Sequence, residues 1–159
     1  MSLQLLLSKY YFDRVLIEAN GEWPQAQAPL SGVKVEVEVG ARTDDPTRWR
    51  ISLAIRDAPN EPGKPTPYKL DVRLHGFFQV DARGLPQEQV ARVVQVNGAS
   101  ILYSAAREFV LLISARNRFG QVMLPTLHFQ AMREPPKTEA PERPAKSSRS
   151  SRSRPKAAK

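Results

Sequence analysis

The chain of 159 residues is 41% hydrophobic and carries a formal net charge of +8. This is enough apolar sequence for one globular domain with a core, and too little for two. The absence of cysteine excludes disulfide bonds, thiolate nucleophiles and cysteine-ligated metals. The two histidines, His75 and His128, are widely separated in the sequence. We therefore predict no metal site and no cofactor.

The positive charge is concentrated at the C-terminal end. Residues 133–159 contain nine Lys or Arg and three Glu, whereas residues 1–132 contain fifteen basic and thirteen acidic residues. Because the terminal segment has almost no apolar residue to offset the entropy cost of ordering, a disordered basic tail rich in Ser, Arg, Lys and Pro is predicted. Two interpretations of the tail stay open: a solubilising extension, or a salt-dependent contact with RNA or another anionic surface.

The N-terminal segment, residues 1–8, is apolar but has no basic region before it and is followed at once by Lys9. This is not typical of a signal peptide, and the sequence leaves the structure of the segment open. No apolar stretch is expected to reach the length that spans a membrane. A cytoplasmic location is expected.

The first half of the chain alternates between apolar and polar residues, which is typical of amphipathic strands. A connection rich in Gly, Pro and Gln surrounds Trp23, and His75 and Gly76 interrupt the last alternation. A glycine inside a strand indicates a bulge or a close backbone approach. The pattern favours an antiparallel sheet with one buried and one solvated face. The predicted strands are 10–19, 33–39, 49–55 and 68–74.

Two helices are predicted to follow the sheet. A short helix begins near Pro86 and ends at Asn97 and Gly98, which are typical of a chain break, and Ser100 then caps a long helix over 101–118. The long helix is apolar on more than one side, as in helices buried between layers or between subunits. We therefore expect it to form an oligomer interface. The interface residues are Leu102, Ala105, Phe109, Leu112 and Ile113.

The order of these elements and several stretches of sequence resemble the SecB family of export chaperones. Residues 68–80, YKLDVRLHGFFQV, resemble the family's strand that ends in Gly and an aromatic residue. Residues 101–108, ILYSAARE, followed by NRFG and LPTLHF, resemble its helix signature. The resemblance covers residues 9–132. It implies an α+β domain with a four-stranded antiparallel sheet, one long and one short helix, and assembly into a dimer of dimers.

The resemblance also implies a function, namely an ATP-independent chaperone that holds unfolded or extended clients. The clients are proteins for export or one dedicated client such as an antitoxin. It further implies contact with the SecA motor through an acidic surface, at positions occupied here by Glu18 and Asp71, although Arg14 and Lys69 lie at neighbouring aligned positions. The residues that the resemblance assigns to client binding, on the fourth strand and in the loop after the first, are Tyr68, Leu70, Val72, Leu74, Phe77, Phe78 and Trp23. For the strand residues the alternation leaves a second interpretation open, namely that they belong to the buried core.

Two other interpretations were compared with this one. A nucleic-acid-associated protein that acts through its basic tail stays open as the alternative function. An enzyme is not predicted, because adjacent helix residues such as Arg107 and Glu108 point in different directions. The sequence also has no phosphate-binding loop, nucleophile elbow or carboxylate pair with a base.

Overall fold

The computed structural model describes residues 3–21, 32–58, 66–82 and 84–131 of the chain. The predicted loop around Trp23 and the predicted basic tail lie outside the described residues. The expected α+β fold with a four-stranded antiparallel sheet is confirmed. Its elements are β1 (Gln4–Ala19), β2 (Val33–Ala41), β3 (Arg48–Asp57), β4 (Tyr68–Asp81), α1 (Gln87–Ser114) and a 3-10 helix (Phe129–Ala131).

The strands lie in the order β1-β4-β3-β2, so β1 and β2 form the two edges of the sheet. β1 is longer than predicted because it begins at Gln4 rather than at residue 10. Leu5 pairs with Val80, and Leu7 pairs with Phe78. The run of leucines hides the alternation that identifies the other strands, so the sequence gives no strand signal there.

β4 is continuous through Gly76, and the register irregularities lie in β1 instead, between Leu7 and Lys9 and between Phe12 and Arg14. A Cβ atom built at Gly76 would lie 2.7 Å from Leu102 Cδ2 of the helix. Of the two interpretations of this glycine, the close approach is therefore correct and the bulge is not.

α1 is one helix of 28 residues, so the predicted break between a short and a long helix is wrong. Asn97 and Gly98 both lie inside it. Gly98 is buried, and a Cβ atom there would collide with Ile51 Cδ1, so tertiary packing outweighs the local tendency of this dipeptide to end a helix. Ser100 does not cap a second helix, because its Oγ donates to the Val96 carbonyl one turn earlier, at 2.7 Å.

The length of α1 also changes the expectation about membrane spans. An 18-residue window of this helix has a mean hydropathy of 1.2, so by length and composition it could cross a bilayer. The sequence predicts no such span, because the predicted break at Asn97 and Gly98 divides the helix in two. One face of α1 covers the sheet, and core helices of soluble proteins meet the same criterion.

The core lies between α1 and the inner face of the sheet. Along β3 and β4 every second side chain is buried beneath the helix, and each large one contributes about 1.5–3 kcal/mol through its removal from water. The segment after α1 folds back and adds Val122, Leu124 and Phe129. The principal core residues of the sheet are Trp49, Ile51, Leu53, Ile55, Tyr68, Leu70, Val72, Leu74, Phe78 and Val80.

Candidate functional site

The β4 residues expected to bind clients are mostly core residues. Phe77 is the exception, because it lies on the outer face with its ring next to that of Tyr11. A client cannot contact the buried residues while α1 covers them. The alternation in the sequence identifies which residues share a face, but it does not identify the face that the helix covers. The buried members of the set, each at most 3% exposed, are Tyr68, Leu70, Val72, Leu74 and Phe78.

Tyr68 has a structural role that the sequence does not indicate. Its hydroxyl donates to the Gly120 carbonyl at 2.8 Å and accepts from the Phe119 amide at 3.2 Å. Desolvation by burial raises the pKa of Tyr68, and the hydrogen bond from Phe119 opposes that shift. Tyr68 therefore holds the chain that follows α1 against the sheet.

The outer face carries an aromatic and basic row across all four strands. Lys9 of β1 pairs with Phe77 of β4, Phe77 pairs with Arg50 of β3, and Arg50 pairs with Gly40 of β2. The Lys9 ammonium lies 5.2 Å from the centroid of the Phe77 ring, a cation–π distance. A pocket of about 660 Å³ opens over this row. We refer to it as the Phe77 pocket, with Lys9, Phe77, Arg50 and Gly40 as its defining residues.

The other end of the outer face is nearly neutral. Asp71, expected to contact SecA, lies 2.8 Å from Arg14, 3.4 Å from Arg73 and 3.9 Å from Arg56. Arg56 is also 3.1 Å from Glu36, and hydrogen bonds from Lys34 and Arg56 lower the pKa of Glu36.

Three arginines therefore offset the charge of Asp71. Of these three, the sequence indicated only Arg14. Glu18 pairs across the strands with Lys69. The acidic surface that the resemblance implies is consequently not present at these two positions.

The helix residues expected at an oligomer interface fall into two groups. Leu102 is fully buried against the sheet, and Phe109 stacks on Phe12 with ring centroids 4.5 Å apart. By contrast, Leu112 and Ile113 are 55% and 38% exposed. The exposure of Ala105 is intermediate between those of the two groups, because this residue is partly buried.

Further exposed apolar side chains border the helix, and the sequence did not single them out as surface residues. Ile101 on α1, and Tyr10 and Val15 on the adjacent edge strand, are 39–46% exposed. We call the set of Ile101, Leu112, Ile113, Tyr10 and Val15 the α1–β1 surface. Large uncovered apolar patches mark interaction sites in soluble proteins.

Within the parts of the chain that the structure describes, no three His, Cys, Asp or Glu side chains converge to hold a metal ion. His75 instead lies on the outer face, where its Nδ1 is 2.9 Å from Ser52 Oγ and its Nε2 is 3.8 Å from Asp13. The described features are an open aromatic pocket, uncovered apolar side chains and two strand edges. Such features are typical of proteins that bind polypeptide or assemble with copies of themselves.

Most of the chain matches the model of one protein family. Residues 9–139 match the family model of SecB, described as preprotein translocase subunit SecB. The chain belongs to the SecB family. The match extends past residue 132, where the sequence predicts that the domain ends.

A solved structure shows the same fold at low sequence identity. The SecB-like chaperone Rv1957 of Mycobacterium tuberculosis was solved in complex with a ChAD peptide from the Rv1956 HigA1 antitoxin. It aligns with a TM-score of 0.61 at 15% identity, over 77% of this chain and 90% of that chain. A protein of unknown function from Streptococcus agalactiae aligns over 79% of this chain and 100% of that one, with 12% identity and a TM-score of 0.48. No curated protein matches the sequence.

Proposed function

We propose that the protein is a SecB-like chaperone that holds unfolded or extended polypeptide without ATP and without catalysis. The observation that carries the proposal is the membership of the SecB family over residues 9–139. The structurally similar Rv1957, which binds an antitoxin peptide, supports a polypeptide client. The proposed location is the cytoplasm.

Two physical features support the capture of extended chains. β2 is the edge strand on the side of the sheet away from β1, and the N–H and C=O groups of a sheet edge can pair with an added extended segment. Apolar and aromatic side chains such as Leu6 and Tyr11 are 63% and 46% exposed on the outer face of the sheet. Backbone pairing combined with apolar contact binds many sequences, which is the property that a holding chaperone needs.

We further propose that the protein assembles into an oligomer of the SecB type through the α1–β1 surface. Assembly would cover Leu112 and Ile113 and would leave the outer face of the sheet accessible. We favour general holding, or one dedicated client, over delivery to SecA, because Arg14, Arg56 and Arg73 offset the charge of Asp71.

The proposed function is tested by dilution of a chemically unfolded client into buffer without ATP, with light scattering as the measure of aggregation. The full chain and a variant that ends at Met132 are compared at equal protomer concentration, and a natively folded protein that exposes no extended segment is the control for client binding. We expect both chains to delay aggregation equally. A full chain that gives no delay contradicts the chaperone proposal. A delay that disappears with the tail, together with tail-dependent RNA binding, favours the nucleic-acid alternative.

A further inference from the structure

We propose that the Phe77 pocket is a selective peptide site that binds an aromatic client side chain flanked by Asp or Glu. This inference rests on the proposed chaperone function and specifies the class of segment that the outer face prefers. The resemblance to the family pointed to Phe77 only as one member of an apolar set. Its position among cations, apart from the buried members of that set, indicates a different chemistry.

The shape of the pocket suits one planar side chain. Phe77 is the aromatic residue that lines it from the outer face, and the ring of Tyr11 lies beside Phe77 with centroids 6.1 Å apart. On the far side of Arg50, Gly40 contributes no side chain, and a Cβ atom built there would have no neighbour within 4 Å. An aromatic ring that enters this space can stack on Phe77, since aromatic pairs gain from offset-stacked packing in addition to their buried area.

The charge around the pocket suits carboxylates on either side of that ring. Among the described residues, four cations line the pocket, and no Asp or Glu does. Arg42 and Arg48 are already paired with Asp44 and Asp45 in the β2–β3 turn.

The remaining two cations are the ones that flank Phe77. Lys9 and Arg50 form no ion pair with the described residues. Neighbouring strands lie about 4.8 Å apart, which places these two backbones about 10 Å from each other with Phe77 between them. Alternate side chains of an extended segment point to the same side. A carboxylate two residues before a bound aromatic residue and another two residues after it would therefore meet one cation each.

The neighbouring residues favour a peptide over a nucleic acid. A phosphate backbone needs a continuous path of cations, but the next row of the sheet places Glu38 opposite Ser52, with Asp13 near His75. These carboxylates would repel a nucleic-acid strand that continues along the face. The basic C-terminal segment of this chain has the wrong charge to occupy the pocket, because it carries nine Lys or Arg against three Glu.

The test measures the binding of three fluorescent peptides of equal length whose five central residues are Asp-Gly-Trp-Gly-Glu, Lys-Gly-Trp-Gly-Lys and Asp-Gly-Ala-Gly-Glu. They are named by the three residues that share one face when the peptide is extended: Asp-Trp-Glu, Lys-Trp-Lys and Asp-Ala-Glu. Anisotropy titrations with the full chain are expected to show that the first peptide binds about tenfold more tightly than either of the others, since tenfold corresponds to about 1.4 kcal/mol. The double substitution Lys9→Glu with Arg50→Glu should reverse the preference toward Lys-Trp-Lys. Phe77→Ser should remove the advantage of Asp-Trp-Glu over Asp-Ala-Glu.

The matched control is Arg92→Glu, which reverses an exposed cation on α1, in the other layer of the molecule. It should leave all three affinities unchanged. Circular dichroism establishes that each variant is folded. If the double variant is not, Lys9→Gln and Arg50→Gln are measured separately, and each should lower the Asp-Trp-Glu preference about threefold.

The outcomes separate this inference from the proposed function. Equal binding of the three peptides by a chain that still delays client aggregation overturns the pocket assignment and leaves the chaperone function standing. Failure to bind any peptide together with failure to delay aggregation overturns both. Binding of an oligouridylate that competes at the pocket, with no peptide binding, assigns the pocket to nucleic acid and also overturns the inference.

Discussion

Gly76 and Gly98 determine how closely α1 approaches the sheet. Gly76 on β4 faces Leu102, and Gly98 on α1 faces Ile51 and the Phe78 ring, which would lie 3.2 Å from an added Cβ atom. Glycine inside a helix costs about 1 kcal/mol relative to alanine. We infer that close packing of the helix on β3 and β4 offsets this cost at Gly98.

Helix propensity alone predicts that Gly98→Ala raises the free energy of unfolding, whereas the packing of Gly98 predicts that it lowers it. We expect Gly98→Ala to lower the free energy of unfolding by about 1–3 kcal/mol, because the new methyl group displaces Ile51 in a filled core. Asn97→Ala, at the exposed neighbouring position, should raise it by up to about 0.5 kcal/mol through propensity alone. Urea unfolding followed by circular dichroism measures both variants. A Gly98→Ala variant with a higher free energy of unfolding would show that Ile51 can move and that the core has space for the added methyl group.

At the scale of elements, the sequence predicts β2 and β3 to within two residues at either end, because each alternates with a two-residue period. The sequence also predicts the start of β4 at Tyr68 but ends that strand at residue 74, whereas β4 continues to Asp81. It misses the start of β1, where Leu5, Leu6 and Leu7 are apolar on both faces. The division of α1 at Asn97 and Gly98 fails for a tertiary reason, since contacts with Ile51 and Phe78 are invisible to local patterns.

The candidate site shows the same limit. Tyr68 to Phe78 could be recognised as one apolar strand face, but its coverage by α1 follows only from the assembled layers. Conversely, Arg56 and Arg73 reach Asp71 from two strands. The pairing of β3 with β4 places Arg56 opposite Asp71, and the sequence does not specify that register. Arg73 instead lies two residues from Asp71 on the same face of β4, as the alternation indicates.

The segment after α1 is attached by tyrosine hydroxyls. Tyr103 on α1 donates to the Pro125 carbonyl at 2.7 Å, and its ring packs edge-on against Phe129. Burial raises the pKa of Tyr103 to about 12, although the charge of Arg107 opposes the shift. The hydroxyl therefore stays protonated in the folded protein at pH values where an unfolded chain, with a tyrosine pKa near 10, loses its proton.

The raised pKa of Tyr103 predicts a loss of stability in alkali. The folded-state pKa lies above the unfolded value, so this contribution is complete below about pH 10 and is lost as the pH rises to about 12. Tyr103→Phe should lower the free energy of unfolding at pH 7 by about 1 kcal/mol, because the Pro125 carbonyl loses its donor. The substitution should also make the decline in the free energy of unfolding between pH 10 and 12 smaller.

Urea unfolding at pH 7, 10 and 11.5 measures these effects of Tyr103→Phe. The control Tyr11→Phe alters an exposed ring on the outer face and should not change stability at pH 7. A Tyr103→Phe variant with the wild-type stability and the wild-type pH profile would contradict an anchoring role for this hydroxyl.

At the scale of the whole molecule, the two layers leave different surfaces for different partners. The outer face of the sheet is polar and charged over most of its area, with aromatic rings at one end. The helix layer instead carries the apolar α1–β1 surface, which lies next to the edge strand β1. An apolar helix side beside a strand edge is suited to contact with a second copy of the chain, because one interface covers both the apolar side chains and the edge of the strand.

The final prediction concerns this assembly. Leu112→Glu places a charge on the exposed side of α1, where the folded protomer tolerates it but a buried interface does not. We expect the variant to keep its helix content and to dissociate, with the association constant lowered at least about tenfold, since a buried leucine contributes about 1.5–3 kcal/mol. Analytical ultracentrifugation across a concentration series measures this change.

Met123→Glu is the matched control, because Met123 is 53% exposed, close to the 55% of Leu112, but lies on the segment after α1. It should assemble as the wild type does. A wild-type protein that stays monomeric at micromolar concentration, or a Leu112→Glu variant that assembles normally, would show that copies of the chain do not meet at the α1–β1 surface. In that case these apolar residues would be available to clients instead, and Leu112→Glu should then weaken the suppression of client aggregation without any change in mass.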